Sequence, residues 1–495
     1  MTATTKMHVR SPGSRHRPIK LSAALLPLVL LAGCATTNPR TTLPAVQSQL
    51  RERADVQATW PLTDAERTSA DTATRELLAS DLTVESTVKI ALLNNRALRA
   101  TFEDLGLSQA GLAAATRLPN PTFSASVRWP DRAPRGPNAE FALTAPLLET
   151  ILLPQRKRLA QDQLAQVQQR VVHEVLALAA DVKRTAYEVL ARQDIRARLA
   201  VIADLNDAAA DLAGRQYEAG NIPDLDLAQI KATAQQSRLD LLQADAAVRA
   251  AREQLNRLLG LASDQTGWQL PGPLPLLPAA DPAPGNLEAL ALGQRLDLAA
   301  SRTQVALAGR ALALKQRTRL LPGTVDLGMD TERDSNGGRV TGPRLDLQLP
   351  LFDQGQPEVA RLAAAVRQAQ DHADAMAADI GSEVRTARDA LQAARVSTEF
   401  YQKNLLPQRR RIMHEMLLHY NAMQKSPYDL LLAKEQEKTA ERMSIEALRD
   451  YWVARTELER AIGGRLPAPA EIPSAEPPAK SEASPAAEPH PHSNP

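Results

Sequence analysis

Between residues 155 and 217 the apolar positions step by threes and fours: Leu164, Val167, Val171, Val175, Leu178, Val182, Ala186 and Val189. That near-heptad spacing predicts the buried seam of a long helix. The stretch contains no proline and one glycine, Gly214, so nothing in it stops a helix. About 63 residues at 1.5 Å each give roughly 95 Å of rod. The turn formers Gly220-Asn221-Ile222-Pro223 end it, and a returning helix is predicted over 224–259. Ahead of the rod the period changes. A helical segment over 82–117 runs into a proline-containing break. Two short strands follow at 122–129 and 140–148, joined by turn formers from Pro130 to Asn138.

The same order recurs downstream. Tyr217-Glu218-Ala219-Gly220 aligns with Tyr420-Asn421-Ala422-Met423, and Asp226-Leu227 with Asp429-Leu430. Lys231 aligns with Lys434, and Leu255 and Gly260 with Leu458 and Gly463, all at one offset of 203. Upstream, Phe141, Leu143 and Pro146 match Leu345, Leu347 and Pro350 at an offset of 204, and Leu98 matches Leu298 at 200. The chain therefore divides into a first repeat over 82–262 with its hairpin at 155–259, a Pro-rich linker over 263–285, and a second repeat over 286–466. The second repeat predicts a helix over 287–319, strands at 324–333 and 344–352, and a hairpin at 357–462 that turns at 424–427. Pro357 suits a first-turn helical position, and Pro407 should kink the outgoing arm. Residues 34–81 form an N-terminal extension. The Pro/Ala/Glu-rich stretch 467–495, in which His490 and His492 read as incidental, is expected to be disordered.

Val325, Leu327 and Met329 alternate with Thr324, Asp326, Gly328 and Asp330, and Leu345, Leu347 and Leu349 with Arg344, Asp346 and Gln348. Alternation in segments of about ten residues is the signature of a transmembrane β-barrel. Two strands per repeat cannot make a stable sheet alone, and four per chain cannot enclose a useful lumen. The strands therefore imply an oligomer.

Composition agrees with long helices. Aromatics are 3 % of the chain, and Ala, Leu, Arg, Gln and acids dominate. Net charge is +2 with 23 % charged residues, and no basic block interleaved with aromatics points to nucleic acid. No phosphate-binding glycine loop, zinc-ligand spacing or catalytic constellation appears, so the chain reads as no enzyme. The single cysteine is Cys34. Residues 1–20 carry five Lys or Arg and no acid, and 21–31 is an apolar run of about 11 residues, too short to span a bilayer. It ends in Leu31-Ala32-Gly33-Cys34, which resembles the lipobox of bacterial lipoproteins. That resemblance implies a signal peptide over 1–33, removed before Cys34, with a diacylglycerol and an acyl chain on Cys34 and no other cofactor. Ala35 rather than Asp after the cysteine favours the outer membrane.

The whole order resembles the TolC family of outer-membrane efflux channels over nearly all of 34–466. Leu93-Asn94-Asn95-Arg96-Ala97-Leu98 is similar to the family's Asn-Asn-Pro-x-Leu, with Arg96 in place of Pro. Gln294-Arg295-Leu296-Asp297-Leu298 is similar to its Arg-Pro-Asp-Leu, again without Pro. Leu118-Pro119-Asn120-Pro121 and Leu320-Leu321-Pro322 match its approach to the strands. The resemblance implies a mainly α fold with a small β part: a periplasmic α-helical barrel, and four transmembrane strands per protomer that close as a 12-stranded barrel in a homotrimer. It also implies a passive conduit working with a periplasmic adaptor and an inner-membrane, proton-driven pump. Few aromatics are available for barrel girdles: Phe123, Trp129, Phe141 and Phe352. A periplasmic adaptor lipoprotein and a coiled-coil scaffold are the competing readings; an adaptor carries one hairpin between β-rich halves, not two with paired strands.

The family's periplasmic gate latches a Tyr of the second turn to an Asp of the first. A basic residue near that Tyr links to the next protomer, and an Asp beyond it rings the constriction. The matching positions are Tyr420, Asp226, Lys425 and Asp429, on turns marked by Tyr217, Gly220, Pro223 and Pro427. A second ring Asp of the family falls at Leu432. Three Asp429 carboxylates around an axis would favour cations and raise one another's pKa. Both acids also fit helix N-termini, where they offset the macrodipole, and Tyr420 fits plain packing. Segments 91–120 and 140–163 resemble the cobalt-zinc-cadmium and copper branch of the family. Met413, His414, Met416, His419 and Met423 lie near the second turn. Such soft donors suit Cu(I), although methionines at this spacing equally suit packing.

Overall fold

The structure, a computed structural model, describes residues 38–132, 136–281 and 285–466. Cys34, the segment 1–33 and the tail 467–495 with His490 and His492 lie outside the described residues. Three short N-terminal helices, α1 (Leu43–Ala54), α2 (Asp64–Leu78) and α3 (Val84–Asn94), lead into α4 (Arg96–Thr116). Strands β1 (Thr122–Arg128) and β2 (Asn138–Pro146) follow, then the rod α5 (Leu147–Glu218) and its return α6 (Asp224–Leu259). The second half repeats the order as α7 (Leu287–Gln294), α8 (Leu296–Thr318), β3 (Val325–Arg333), β4 (Arg339–Leu347), α9 (Gln356–Phe400), α10 (Leu406–Asn421) and α11 (Pro427–Ile462). Among the described residues no helix is long and apolar enough to cross a membrane.

The rod is longer than its sequence pattern predicts. It begins at Leu147, directly after β2, and contains Pro154 in its interior, reaching 72 residues or about 108 Å. Pro154 removes one ladder bond near an exposed end, too little to stop a helix propagated from both sides. Most of the predicted seam is buried: Leu164, Val171, Val175, Val182, Ala186 and Val189, with Val167 and Leu178 half-buried against the same core. The rod packs on α4, α6, α8 and α11, which makes it the common wall of both repeats. Charge pairs link it to α11, with Lys183–Glu459 at 3.8 Å, Arg449–Glu188 at 3.5 Å and Arg198–Glu441 at 3.5 Å. Each half-exposed pair is worth at most about 1 kcal/mol; together they oppose slippage of one helix along the other.

The expected single helices over 82–117 and 287–319 are each broken once. Asn95 and Arg295 adopt extended backbone, φ −63°, ψ 117° and φ −64°, ψ 125°. The breaks serve the far ends of the hairpins. Asn94 Nδ2 donates to the carbonyls of Leu259 (3.0 Å) and Gly260 (2.8 Å), and Asn95 Nδ2 to that of Leu258 (2.8 Å). These are carbonyls a helix C-terminus leaves without partners. In the second repeat the buried Arg295 reaches Ala461 O (3.4 Å) and pairs with Asp297 (2.5 Å) and Glu383. Gly260 and Gly463 close α6 and α11 in left-handed backbone, at φ 69° and 78°.

On the N-terminal side Phe102, fully buried, stacks on Trp60 at 6.1 Å; burial of such a side chain is worth about 1.5–3 kcal/mol. The Pro-rich linker is strapped to the bundle. Trp268 Nε1 donates to Asn256 Oδ1 at 2.7 Å under the Arg252 guanidinium. Asp281 accepts from the Tyr451 hydroxyl (2.5 Å) and pairs with Arg395 (3.2 Å).

All four strands form one antiparallel sheet in the order β1-β2-β3-β4. Strand β4 starts at Arg339 and ends at Leu347 instead of spanning 344–352. Its Gly342 and Pro343 read as breakers in sequence, but β4 is an edge strand, where a missing donor is tolerated. Strand β2 likewise starts at Asn138 and ends at Pro146 instead of spanning 140–148, because the rod consumes 147 and 148. Pro407 acts through the turn before it. Residues Tyr401–Leu405 form a π-turn in which Leu406 N–H bonds Tyr401 O, adjusting the ladder ahead of a residue that cannot donate.

A Cβ added at Gly260 would lie 2.9 Å from Asn94 O, on backbone that L residues enter at a cost of about 1–2 kcal/mol. Gly260→Ala should therefore destabilise the folded chain by about 2 kcal/mol or more in denaturant unfolding. Gly214→Ala, with open space at its Cβ, should be neutral or stabilising. Equal stability of the two variants would show that the Asn94–Gly260 joint does not constrain the fold.

Candidate functional site

The sheet has two chemically distinct faces. Odd-numbered positions carry Phe123, Ala125 and Val127, opposite Leu143, Phe141 and Ala139. These continue into Met329, Thr331 and Leu327, and then into Pro343, Thr341 and Leu345. Most of these side chains are exposed, including Phe123, Leu143, Met329 and Leu345. Even-numbered positions carry Ser124, Ser126, Arg128, Glu140, Asp326, Asp330, Glu332, Arg344 and Asp346. Five acids stand against two arginines on this face. Both arginines serve Glu140, Arg128 at 3.4 Å and Arg344 at 3.6 Å, and Arg344 also pairs with Asp346 at 2.9 Å. The face is therefore net anionic.

Nothing in the described residues covers either face or pairs with the outer edges of β1 and β4. Exposed Leu118, Leu320, Leu351 and a fully exposed Phe352 lie at the helical end of the sheet, and Trp129 lies past the other end. An apolar band with an aromatic at each margin is the pattern of a lipid-facing barrel wall. A polar face opposite it can line water. Open edges within hydrocarbon are not tolerated, so such a sheet has to close on further strands.

The other end of the molecule is formed by the two hairpin turns, built alike. Gly220 N–H bonds Tyr217 O and Asn221 N–H bonds Gln216 O, both at 2.8 Å. In the second turn Met423 N–H bonds Tyr420 O and Gln424 N–H bonds His419 O, both at 2.9 Å. This is the double C-terminal cap that needs one left-handed residue. The first turn places Gly220 there at φ 72°; the second places Met423 at φ 56°, with its side chain 94 % exposed.

Tyr420 is exposed on this turn and its hydroxyl makes no hydrogen bond among the described residues; Asp226 is exposed in the first turn of α6. The bond that joins the two tips comes from a residue the motif match did not single out. The Tyr428 hydroxyl donates to Gln216 Oε1 at 2.6 Å. Burial, followed by the nearby Asp226 charge, raises the Tyr428 pKa and keeps the hydroxyl protonated as a donor. Asp226 is thus beside the inter-hairpin contact without being its acceptor. The sequence held one signal for Tyr428, an aromatic directly after the turn proline, Pro427.

Asp429 caps α11. Its carboxylate accepts from Ser426 N–H at 3.0 Å and from the Ser426 hydroxyl at 2.9 Å, while Ser426 Oγ accepts from Asp429 N–H at 3.2 Å. The backbone bond, then the hydroxyl bond, then the Lys425 charge hold the carboxyl below its usual 3.8. Within one chain this opposes the rise expected from three clustered carboxylates. Lys425 makes no direct ion pair among the described residues. In the Met/His group, Met413 and Met416 are half-buried while His414 and His419 are exposed, and His419 Nδ1 meets Gln424 Oε1 at 2.7 Å. Met423 lies off the helix, on the turn. No cluster of three His, Cys, Asp or Glu suited to a metal ion is found among the described residues.

No family model matches the chain. The cobalt-zinc-cadmium resistance protein CzcC of Cupriavidus metallidurans is 28 % identical over 397 residues, spanning 78 % of this chain and 91 % of that protein. The Campylobacter jejuni CmeC outer membrane channel superposes with a TM-score of 0.67 at 15 % identity, covering 84 % of this chain and 91 % of that one. CusC, solved in a study of folding and transmembrane channel formation, gives 0.64 at 15 % identity, covering 83 % and 99 %. At such identities the solved structures establish a shared fold.

Tyr428→Phe or Gln216→Ala should loosen the contact between the tips and speed amide exchange at the end of α5 and the start of α11, whereas Tyr420→Phe should leave it near wild type. The reverse ranking would favour Tyr420 over Tyr428 as the tie between the tips. The cap has a pH sign. Because the folded Asp429 pKa is depressed, its stabilisation is complete above the unfolded value of 3.8 and lost as pH falls through the lower folded value. Amide exchange at the start of α11 should accelerate below that point in wild type and stay flat in Asp429→Asn.

Proposed function

We infer that this chain, which has the fold of the TolC-type outer-membrane channels, is the outer-membrane exit channel of a tripartite efflux system. The observation that carries the reading is the four-stranded sheet with one apolar face, one anionic face and two open edges, continuous with a rod of 72 residues. Three copies of this sheet, each β4 beside the next β1, close an all-antiparallel barrel of twelve strands. The apolar face then meets lipid and the anionic face lines the lumen. The helices extend into the periplasm, where the two turns meet an adaptor and, through it, an inner-membrane pump, proton-driven by family analogy. The channel itself works as a passive conduit that binds no cofactor. An adaptor or scaffold reading leaves the amphipathic sheet without a purpose.

Heavy-metal ions are the substrates this reading favours. The similarity to CzcC supports them, and so does the excess of acids on the inner face, which raises the local concentration of cations along the exit. Cys34, through its lipobox, supplies an acyl tether to the outer membrane. A closed barrel is held in the bilayer by its own apolar band, so that tether is auxiliary.

Deletion of the gene should lower tolerance to cobalt, zinc, cadmium or copper several-fold in growth assays while drug tolerance stays near wild type. Unboiled membranes should show a heat-modifiable trimer on gels. Drug sensitisation without metal sensitisation would overturn the metal assignment and leave the channel standing. Only monomeric protein that is soluble without detergent would overturn the channel.

A further inference from the structure

One pair of charges breaks the apolar face. Arg333 and Arg339 flank the turn between β3 and β4 and face each other directly across the ladder. Both lie at odd positions, on the side that carries Leu327, Met329 and Leu345. The arginines of the opposite face, Arg128 and Arg344, both have carboxylate partners. Neither the Arg333 nor the Arg339 side chain has a hydrogen bond or ion pair among the described residues. Their sequence neighbours do not serve them: Glu332 is on the other face, bound by Asn138 at 2.7 Å, and Asp334 accepts the Ser335 N–H at 2.6 Å. Like charges directly opposed on a sheet are destabilising, and a guanidinium against lipid is costly unless it reaches a headgroup.

Their height along the barrel fits a headgroup. The β3–β4 pairing runs from Val325–Leu347 to Arg333–Arg339, about 26 Å along the strand at roughly 3.3 Å per residue. Tilted by ~40°, that spans about 20 Å, close to the ~25 Å apolar band of outer-membrane barrels. The pair therefore stands at the distal margin, at the same end as the exposed Trp129. Two guanidinium forks suit the several oxygens of a phosphate, which they can engage bidentately.

We propose that Arg333 and Arg339 of each protomer form a binding site for the phosphate of a phosphorylated glycolipid of the outer leaflet. The inference rests on the membrane placement of the sheet given above. In the closed barrel Arg339 lies on the strand that meets the neighbouring protomer, so the lipid sits at the seam between subunits and neutralises charge there.

The test uses the full-length channel purified as a trimer in mild detergent. Its binding to bisphosphorylated lipid A is measured beside dephosphorylated lipid A, phosphatidylglycerol and inorganic phosphate. The Arg333→Ala, Arg339→Ala double variant should bind lipid A at least tenfold more weakly, and the double Lys variant should fall between. Dephosphorylated lipid should bind wild type no better than lipid A binds the double Ala variant. Heat-modifiable trimer should remain in the double Lys variant, which keeps both charges if the double Ala variant does not assemble. Equal binding of lipid A to wild type and variants would overturn the site. Competition by inorganic phosphate at the lipid's own concentration, or equal binding of phosphatidylglycerol, would overturn the choice of a glycolipid. A wild-type chain that forms no membrane trimer would sink the channel reading itself, whereas a proper trimer indifferent to lipid A would sink this proposal alone.

Discussion

Backbone hydrogen bonding at the two sheet edges constrains everything else in this molecule. On the channel reading the apolar outer face puts the strands in hydrocarbon, where an unpaired N–H or C=O costs several kcal/mol. Strands β1 and β4 each present such an edge. On that reading one chain is not the functional unit, and the strand order fixes how copies join. With β1 and β4 at opposite ends of an antiparallel sheet, β4 meets a neighbour's β1 in antiparallel sense without any rearrangement. Closure also decides which residues see water, because parity in the strands assigns the acids to one side.

The duplication makes that closure compatible with a long tube. In each repeat a helix leaves the sheet, turns about 100 Å away, and returns to a joint that the preceding segment caps. In the first repeat two asparagine amides satisfy the carbonyls of Leu258, Leu259 and Gly260. In the second a buried arginine, held by Asp297 and Glu383, performs the same task less directly. The second solution desolvates a charge and depends on its two acids, since a buried cation stripped of its partners is strongly destabilising. The two halves thus share a backbone plan while differing in how much each joint depends on charge.

Periodicity made the rods legible, because the seam from Leu164 to Val189 is set by burial against neighbouring helices. The strands were legible in number and alternation but not in their bounds. Gly342 and Pro343 look like breakers unless β4 is known to be an edge. The breaks at Asn95 and Arg295 were hidden because their cause lies about 165 residues away in sequence, at the ends of α6 and α11. Motif matching drew attention to the two turns and to Tyr420, Asp226 and Asp429, but not to Tyr428, whose hydroxyl bonds Gln216 across the tips. Both tyrosines lie within a few residues of the same turn; only the distance to Gln216 separates them. For the Met/His group the helical spacing of Met413, Met416 and His419 places them along one side of α10, and Met423 lies past the helix end on the turn.

The asymmetry of the two hairpins has a consequence for the tip. The outgoing arm of the first is a continuous α-helix of 72 residues packed on α1, α3, α4, α6, α8 and α11. The outgoing arm of the second is interrupted by the π-turn over Tyr401–Leu405, and α10 beyond it contains no buried residue. Local opening follows low burial and interrupted ladders, so the second hairpin is the softer of the two. Its turn also holds Met423 in left-handed backbone, a conformation costing about 1–2 kcal/mol for such a residue. The rigid arm is tied at its end to the returning helix of the second hairpin by the neutral bond from Tyr428 on α11 to Gln216, worth about 1 kcal/mol. A contact that weak holds the tips together only because α5 and α11 behind it are already packed together. It also yields without disturbing the sheet, whose ladders hold far more hydrogen bonds.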